Sequence, residues 1–369
     1  MILFKILLSR LSLFLFSCFL LLSITTDAQL VNPSCQTEKQ WVDSVYNALT
    51  AQQRIGQLFM LRANSDIDSA EIRNLSRLIR DYNIGGLCFF KGGPIRQAIL
   101  TNYYQQLALT PLLISMDAEW GLGMRLDSTI SFPRQMTIGA MQNEMLISVY
   151  GQTIASQLKR LGVHVSFSPV ADINSNPANP VINIRSFGEH KEDVARKAIL
   201  YMKALQKGGI ITVAKHFPGH GYVVGDTHKQ LVYIDGEMKE VEVYRPLIKQ
   251  GVISVMVGHI AVKNNPKYNT NDLPSTVSRN IVTGLLREEM GFKGIVVTDA
   301  MGMGGVKSVP NCDLKAVRAG CDVILMPVDE DKAYNEILAE VKKDEALKQQ
   351  VYESVKRIIR LKICLGLIR

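Results

Sequence analysis

The chain has 369 residues, of which 47% are hydrophobic and 21% charged. That balance excludes disorder as the main state, and outside the N-terminus no run of about 18 apolar residues marks a membrane span. The net charge is +8, but Lys and Arg are scattered without a basic block, so the charge reads as solubility and no nucleic-acid partner is expected.

Residues 1–28 differ in kind from the rest. Lys5 and Arg10 precede an apolar stretch from Leu11 to Leu22, and Thr26-Asp27-Ala28 places small residues ahead of Gln29. This is the pattern of a secretory signal cleaved after Ala28. An uncleaved anchor is a second reading. Lipidation at Cys18 is a third, disfavoured by the bulk of Phe16 and by the apolar run that continues past the cysteine. The expectation is export to a bacterial periplasm, with no stable membrane insertion once the signal is removed. Removal leaves Cys35, Cys88, Cys312, Cys321 and Cys364, an odd number without a disulfide or zinc spacing. Cys88 and Cys321 lie in apolar runs and are expected to be buried.

Residues 29–55 form a lead-in with a predicted helix over 38–54, where Trp41, Val42, Val45 and Leu49 recur at helical spacing. After it come eight short apolar runs, at 57–61, 86–90, 112–116, 163–167, 210–214, 252–257, 295–298 and 322–326. None alternates strictly with polar residues, as expected of strands buried on both faces. Helical patterns lie between them, clearest at 68–82, 95–108, 142–161, 191–207, 238–250 and 279–290, and two more helices close the chain over 331–363. Repeated strand and helix predict a (β/α)8 (TIM-type) barrel over 56–369, a single catalytic domain. A doubly wound open sheet is the alternative, but it usually has fewer strands, and no Gly-x-Gly-x-x-Gly links a strand to a helix here.

A barrel puts its chemistry at the C-terminal ends of the strands. The polar residues there are Asp117 after the third run, Asp172 and Arg185 after the fourth, Lys215 and His216 after the fifth, His259 after the sixth and Asp299 after the seventh. Taken singly each could be a cap or turn residue, and Asp172 reads equally well as an Asx turn. Their convergence from distant segments points to a site.

The richest stretch runs from Lys215-His216-Phe217-Pro218-Gly219-His220-Gly221 to Asp226-Thr227-His228 and holds three of the six histidines. Its glycines and proline forbid a helix. A metal site is one reading, but His216 and His220 would need a helix to face one ion, and Pro218-Gly219 breaks it, so no metal is expected. Locally bonded histidines are another reading. The acid–base reading is stronger. A carboxylate at Asp226 can bond one ring nitrogen of His228, fix its tautomer and raise the basicity of the other nitrogen. Asp299, followed by Ala300-Met301-Gly302 with no adjacent base, suits a carboxylate nucleophile. One carboxylate and one proton donor across a sugar ring are the parts of a retaining glycosidase, which needs no cofactor.

This loop, Val296-Val297-Thr298-Asp299-Ala300-Met301 and Asn183-Ile184-Arg185-Ser186-Phe187-Gly188 resemble glycoside hydrolase family 3. The likeness is narrower to its β-N-acetylglucosaminidase branch and runs from about Trp41 to Leu367. Gly56-Gln57-Leu58-Phe59 and Pro274-Ser275-Thr276-Val277-Ser278 are similar too. The resemblance implies Asp299 as nucleophile, His228 as acid/base with Asp226 orienting it, and Lys215, His216 and Arg185 on sugar hydroxyls. It also implies Asp117 and Arg125 as the ends of a sugar-binding segment. This chain departs from that segment in Asp117-Ala118-Glu119-Trp120-Gly121-Leu122-Gly123-Met124-Arg125, where Leu122 replaces an arginine and Trp120 is new. The implied partner is a carbohydrate bearing non-reducing N-acetylglucosamine, with peptidoglycan fragments as the source. A β-glucosidase or β-xylosidase of the same family, and a non-catalytic envelope sugar-binding protein, are the alternatives, and both hydrolysis and phosphorolysis stay open.

Overall fold

A computed structural model describes residues 36–368. The signal segment, Cys18 and Cys35 lie outside the described residues. The chain opens with α1 (Gln36–Ala48) and α2 (Ala51–Gly56), where the sequence pattern predicts one helix. Thr50 divides them. Its hydroxyl accepts from the Gln53 N–H at 3.2 Å while the Gln53 side chain accepts from the Thr50 N–H at 2.9 Å, a reciprocal cap that starts a new helix.

The barrel then follows as β1 (Phe59–Ala63), α3 (Ser69–Tyr82), β2 (Gly86–Phe89), α4 (Pro94–Leu107) and β3 (Leu113–Met116). Two helices, α5 (Gln135–Gly139) and α6 (Met145–Arg160), precede β4 (Val165–Ser166), and α7 (Lys191–Lys207) leads into β5 (Ile211–Phe217). Next come β6 (Val232–Asp235), α8 (Val241–Lys249), β7 (Ser254–Val257), β8 (Ile260–Lys263) and α9 (Asn280–Glu289), which winds with π pitch. The fold ends with β9 (Ile295–Thr298), α10 (Cys312–Ala319), β10 (Ile324–Leu325), α11 (Glu330–Val341) and α12 (Glu345–Cys364).

Eight strands pair in parallel in the order β10-β1-β2-β3-β4-β5-β7-β9. A bridge between Val297 and Val323, with Thr298 N–H donating to the Val323 carbonyl at 3.0 Å, joins the two ends of that row into a (β/α)8 barrel. The eight apolar runs are its staves. Two features differ from the sequence pattern. Lys215 and His216 lie within a seven-residue β5 that is buried throughout and ends at Phe217, not beyond the strand. Strands β6 and β8, which form a separate parallel pair after β5 and β7, carry no long apolar run and were not foreseen.

At the N-terminal end of the barrel, Lys362 of α12 is wholly buried and donates to Gln57 Oε1 at 2.7 Å. Burial lowers its pKa to about 7. Cys88 and Cys321 are buried thiols, as expected from their apolar surroundings. Among the described residues, no helix is long and apolar enough to cross a membrane.

Candidate active site

Two charges at the end of β3 organise the floor of the site. Asp117 bonds Lys215 Nζ at 2.7 Å through Oδ1 and Arg125 Nη2 through Oδ2. Glu119, fully buried, takes Lys215 Nζ at 2.7 Å and grips Arg185 with both oxygens, Nη2 at 2.7 Å and Nε at 2.9 Å. Burial alone would raise both carboxyls. The cations outweigh it, holding Asp117 well below its ordinary range and Glu119 at about 2. The network is therefore ionised and rigid at any physiological pH. It presents fixed donors and acceptors, as recognition of vicinal hydroxyls requires.

Asp172 is not a local turn residue. Its carboxylate reaches 44 residues along the chain, accepting from His216 Nδ1 at 2.7 Å and from the His216 N–H at 3.2 Å. It also accepts from the His220 N–H at 2.8 Å. Nδ1–H of His216 therefore points at the carboxylate, and Nε2 lies 3.4 Å from Arg185 Nη2. His220 is buried, with Nε2 3.0 Å from Thr227 Oγ1, and burial followed by the neighbouring His216 lowers its pKa to about 4. It is a neutral tie within the loop. His259, also buried, bonds the Ala300 carbonyl at 3.0 Å and Thr276 Oγ1 at 2.7 Å, steadying the backbone beside Asp299.

The histidine loop is held by a residue the sequence gives no reason to select. Glu240, immediately before α8, accepts from three backbone N–H groups on two segments: Ile173 at 2.8 Å, Gly221 at 3.2 Å and Tyr222 at 3.0 Å. Burial and the charge of Asp172 raise its pKa to about 8, against the pull of those donors. The close approach explains two loop glycines. A Cβ at Gly221 would lie 1.6 Å from the Ile173 carbonyl oxygen, and one at Gly219, whose φ is +129°, 2.4 Å from Glu240 Cβ. Asn179 adds donors to the carbonyls of His220 at 2.7 Å and Val223 at 3.0 Å.

At the loop's tip, His228 Nδ1 lies 2.8 Å from Asp226 Oδ1, and the same oxygen accepts the His228 N–H at 2.9 Å. Burial would raise the Asp226 pKa, but these two bonds lower it, so the pair holds a carboxylate against one ring nitrogen. The other nitrogen is left available on a side chain that is 63% exposed. Asp299 ends β9. Burial again opposes its charge, but His259, His216 and the Ala300 N–H, which it accepts at 2.8 Å, keep its pKa lowered and the carboxylate ionised. The loop after β9 is tied to the histidine loop by Gly304 N–H to His228 O at 2.9 Å and Gly305 N–H to Thr227 O at 3.0 Å.

These groups meet at one cavity of about 620 Å³ at the C-terminal mouth of the barrel, a size that suits a small-molecule ligand. Asp117, Arg125, Arg185, Lys215, His216, His228 and Asp299 all line it, and Asp226 stands behind His228. Among the described residues no group of three or more metal-ligating side chains converges. Sequence reasoning passed over Glu119, Glu240 and Arg62. Glu119 was accessible, being two positions from Asp117 on the same strand end. Trp120 lines the cavity with the Arg134 guanidinium 4.6 Å above its ring, while Leu122 turns into the core.

The family description "Glycosyl hydrolase family 3 N terminal domain" matches residues 50–361. The chain is 32% identical to "Beta-hexosaminidase A" of Pseudoalteromonas piscicida, over 85% of this chain and 61% of that protein. It is 30% identical to "Beta-N-acetylglucosaminidase/beta-glucosidase" of Cellulomonas fimi, over 89% of this chain and 60% of that protein. It thus spans about three fifths of the length of these curated relatives. A solved glycoside hydrolase family 3 β-N-acetylglucosaminidase from Paenibacillus sp. str. FPU-7 superposes with a TM-score of 0.79 at 33% identity, covering 87% of this chain and 63% of that one. The chain belongs to glycosyl hydrolase family 3.

Proposed function

We propose that this family 3 chain is a retaining, exo-acting β-N-acetylhexosaminidase that removes non-reducing terminal N-acetylglucosamine through a covalent glycosyl–Asp299 intermediate. The observation that carries the reading is the union in one cavity of an ionised Asp299, the Asp226–His228 pair and the Asp117/Glu119/Lys215/Arg185/Arg125 network. Asp299 attacks the anomeric carbon as the glycosidic bond breaks. His228, protonated on the nitrogen away from Asp226, gives that proton to the departing oxygen. His228 then takes a proton from an incoming water, whose oxygen displaces Asp299 and restores the carboxylate. Asp117, Arg125, Arg185, Lys215 and His216 hold the sugar hydroxyls while the charge on the ring grows, so their binding energy acts on the transition state.

N-acetylglucosamine is favoured over glucose because the relatives carry hexosaminidase names and because the acid/base candidate is a histidine on the loop. Peptidoglycan fragments are the proposed natural source, on the strength of the signal pattern in residues 1–28, which also supports export to a periplasm. A β-glucosidase is the second reading, since the printed name of the Cellulomonas fimi relative includes that activity. The deciding experiment compares kcat/KM for the 4-nitrophenyl N-acetyl-β-glucosaminide and the matching β-glucoside. A buried contact to the acetamide predicts about a 5- to 150-fold preference for the former, the equivalent of roughly 1–3 kcal/mol for one unpaired polar group. A preference for the glucoside overturns the specificity. Turnover of the aryl glycoside without action on a muropeptide ending in N-acetylglucosamine overturns the cell-wall role alone.

A further inference from the structure

Four Lys or Arg side chains line the cavity: Arg62, Arg125, Arg185 and Lys215. Three are ion-paired in place, Arg125 with Asp117, Arg185 with Glu119 and Lys215 with both carboxylates. Arg62 is not. It stands near the C-terminal end of β1, opposite Cys88 of β2, and is the one exposed residue of a strand otherwise buried. Its guanidinium lies 4.8 Å from the centroid of the Phe90 ring, and among the described residues it makes no ion pair or side-chain hydrogen bond. Arg125 lies 3.7 Å from the same ring. One aromatic face system thus gathers two cations, of which only one has a counter-ion. Glu330, the acidic group that lines the cavity from the start of α11, does not pair with Arg62.

A guanidinium whose carbon lies over an aromatic ring can keep N–H groups free for a ligand, and its N–H fork matches the two oxygens of a carboxylate or phosphate. The Phe90 ring restricts the guanidinium, which lessens the rotamer freedom lost on binding. The cavity wall lowers the local dielectric and strengthens the attraction. We propose that Arg62 is a specificity-determining residue that binds an anionic group, a carboxylate or phosphate monoester, carried by the sugar substrate. This inference rests on the glycosidase reading. It adds a preference for anionic glycosides from a cation with no counter-ion, whereas every cation of the floor network is already ion-paired. The anion has two possible sources: a carboxylate on the leaving sugar, or a phosphate on the transferred sugar.

The test uses two matched pairs. One is N-acetylglucosaminyl-β-1,4-N-acetylmuramic acid against its methyl ester. The other is 4-nitrophenyl N-acetyl-β-glucosaminide 6-phosphate against the unphosphorylated glycoside. The quantity read is the ratio of kcat/KM, anionic over neutral, in the wild-type protein and in Arg62→Gln and Arg62→Lys. The ratio for one pair should fall about tenfold in Arg62→Gln, the size of one charge-assisted hydrogen bond, and should recover in large part in Arg62→Lys. It should also shrink as ionic strength rises in the wild type. The pair that responds identifies the source. A ratio unchanged in both pairs overturns the proposal. If the wild type turns over none of the four compounds, the glycosidase reading has failed. Calorimetric Kd ratios for the same compounds then decide the Arg62 proposal separately, with the same tenfold fall expected and an unchanged ratio refuting it.

Discussion

Replacing Glu240 by Ala should loosen the histidine loop without touching a group that lines the cavity. The carboxylate accepts from Ile173, Gly221 and Tyr222. Ile173 and Gly221 are buried, and Tyr222 is 59% exposed, so water can serve its N–H but not theirs. Two orphaned buried donors cost about 1–3 kcal/mol each. The variant is also relieved of a buried acidic group beside Asp172, which places the net loss near the lower end, about 2–3 kcal/mol. For a chain of this size that lowers Tm by roughly 3–4 °C. Because the freed segment leads through His220 and Thr227 to His228, kcat on poor leaving groups should fall with it. Glu240→Gln is the control, since one amide oxygen can still accept from Ile173 and Gly221. It also isolates the titration. The pKa of Glu240 is raised by burial and by Asp172, from 4.5 to about 8, so its folded state favours the proton. That contribution is fully present below about pH 4.5 and is lost as pH rises through about 8. Wild-type Tm should therefore fall relative to Glu240→Gln between pH 6 and 9. A Glu240→Ala protein with wild-type Tm and wild-type kcat would refute the reasoning and leave the loop to Asn179 and the Gly304 and Gly305 ties.

Other perturbations bear on the chemistry and the barrel floor. His228→Ala should slow substrates with poor leaving groups by about 10²–10⁴-fold and activated aryl glycosides far less, because a proton donor matters in proportion to the basicity of the departing oxygen. Equal losses on both would assign the histidine a structural part. Asp172→Asn should raise KM for the sugar more than it lowers kcat, since it frees the His216 ring rather than removing a reacting group; the reverse split would contradict that. Lys362 has a pKa lowered by burial from 10.5 to about 7, so the unfolded chain binds the extra proton and stability should rise with pH across that window. Urea denaturation at pH 7 and 9 should show this rise in the wild type and a smaller one in Lys362→Met.

How far the sequence reached depends on the range of the interaction. Eight Val/Ile/Leu-rich runs sufficed for the barrel because strands buried on both faces leave a continuous apolar trace. Asp117, Lys215, His216 and Asp299 were readable because the barrel places functional side chains at strand ends. The divided first helix depends on a reciprocal cap at Thr50, whose Thr-x-x-Gln signature sits inside an unbroken helical pattern. Glu240 left no trace, since its three partners lie 18 to 67 residues away and its own neighbours look like any helix start. Asp172 likewise became distinguishable from a turn residue only when its partners 44 and 48 residues on were seen beside it. Arg62 falls in a strand whose other residues are buried, and its meaning comes from the counter-ions of Arg125, Arg185 and Lys215, which no local pattern encodes.

The covalent role of Asp299 is tested most directly by trapping. A 5-fluoro N-acetylglucosaminyl fluoride should inactivate the enzyme with a mass increase of one glycosyl unit, and peptide mapping should place the label on the segment holding Thr298, Asp299 and Ala300. Asp299 should carry the sugar, and Asp299→Ala should take up none. A label on another residue, or rapid turnover with inverted anomeric configuration and no trapped species, would contradict it.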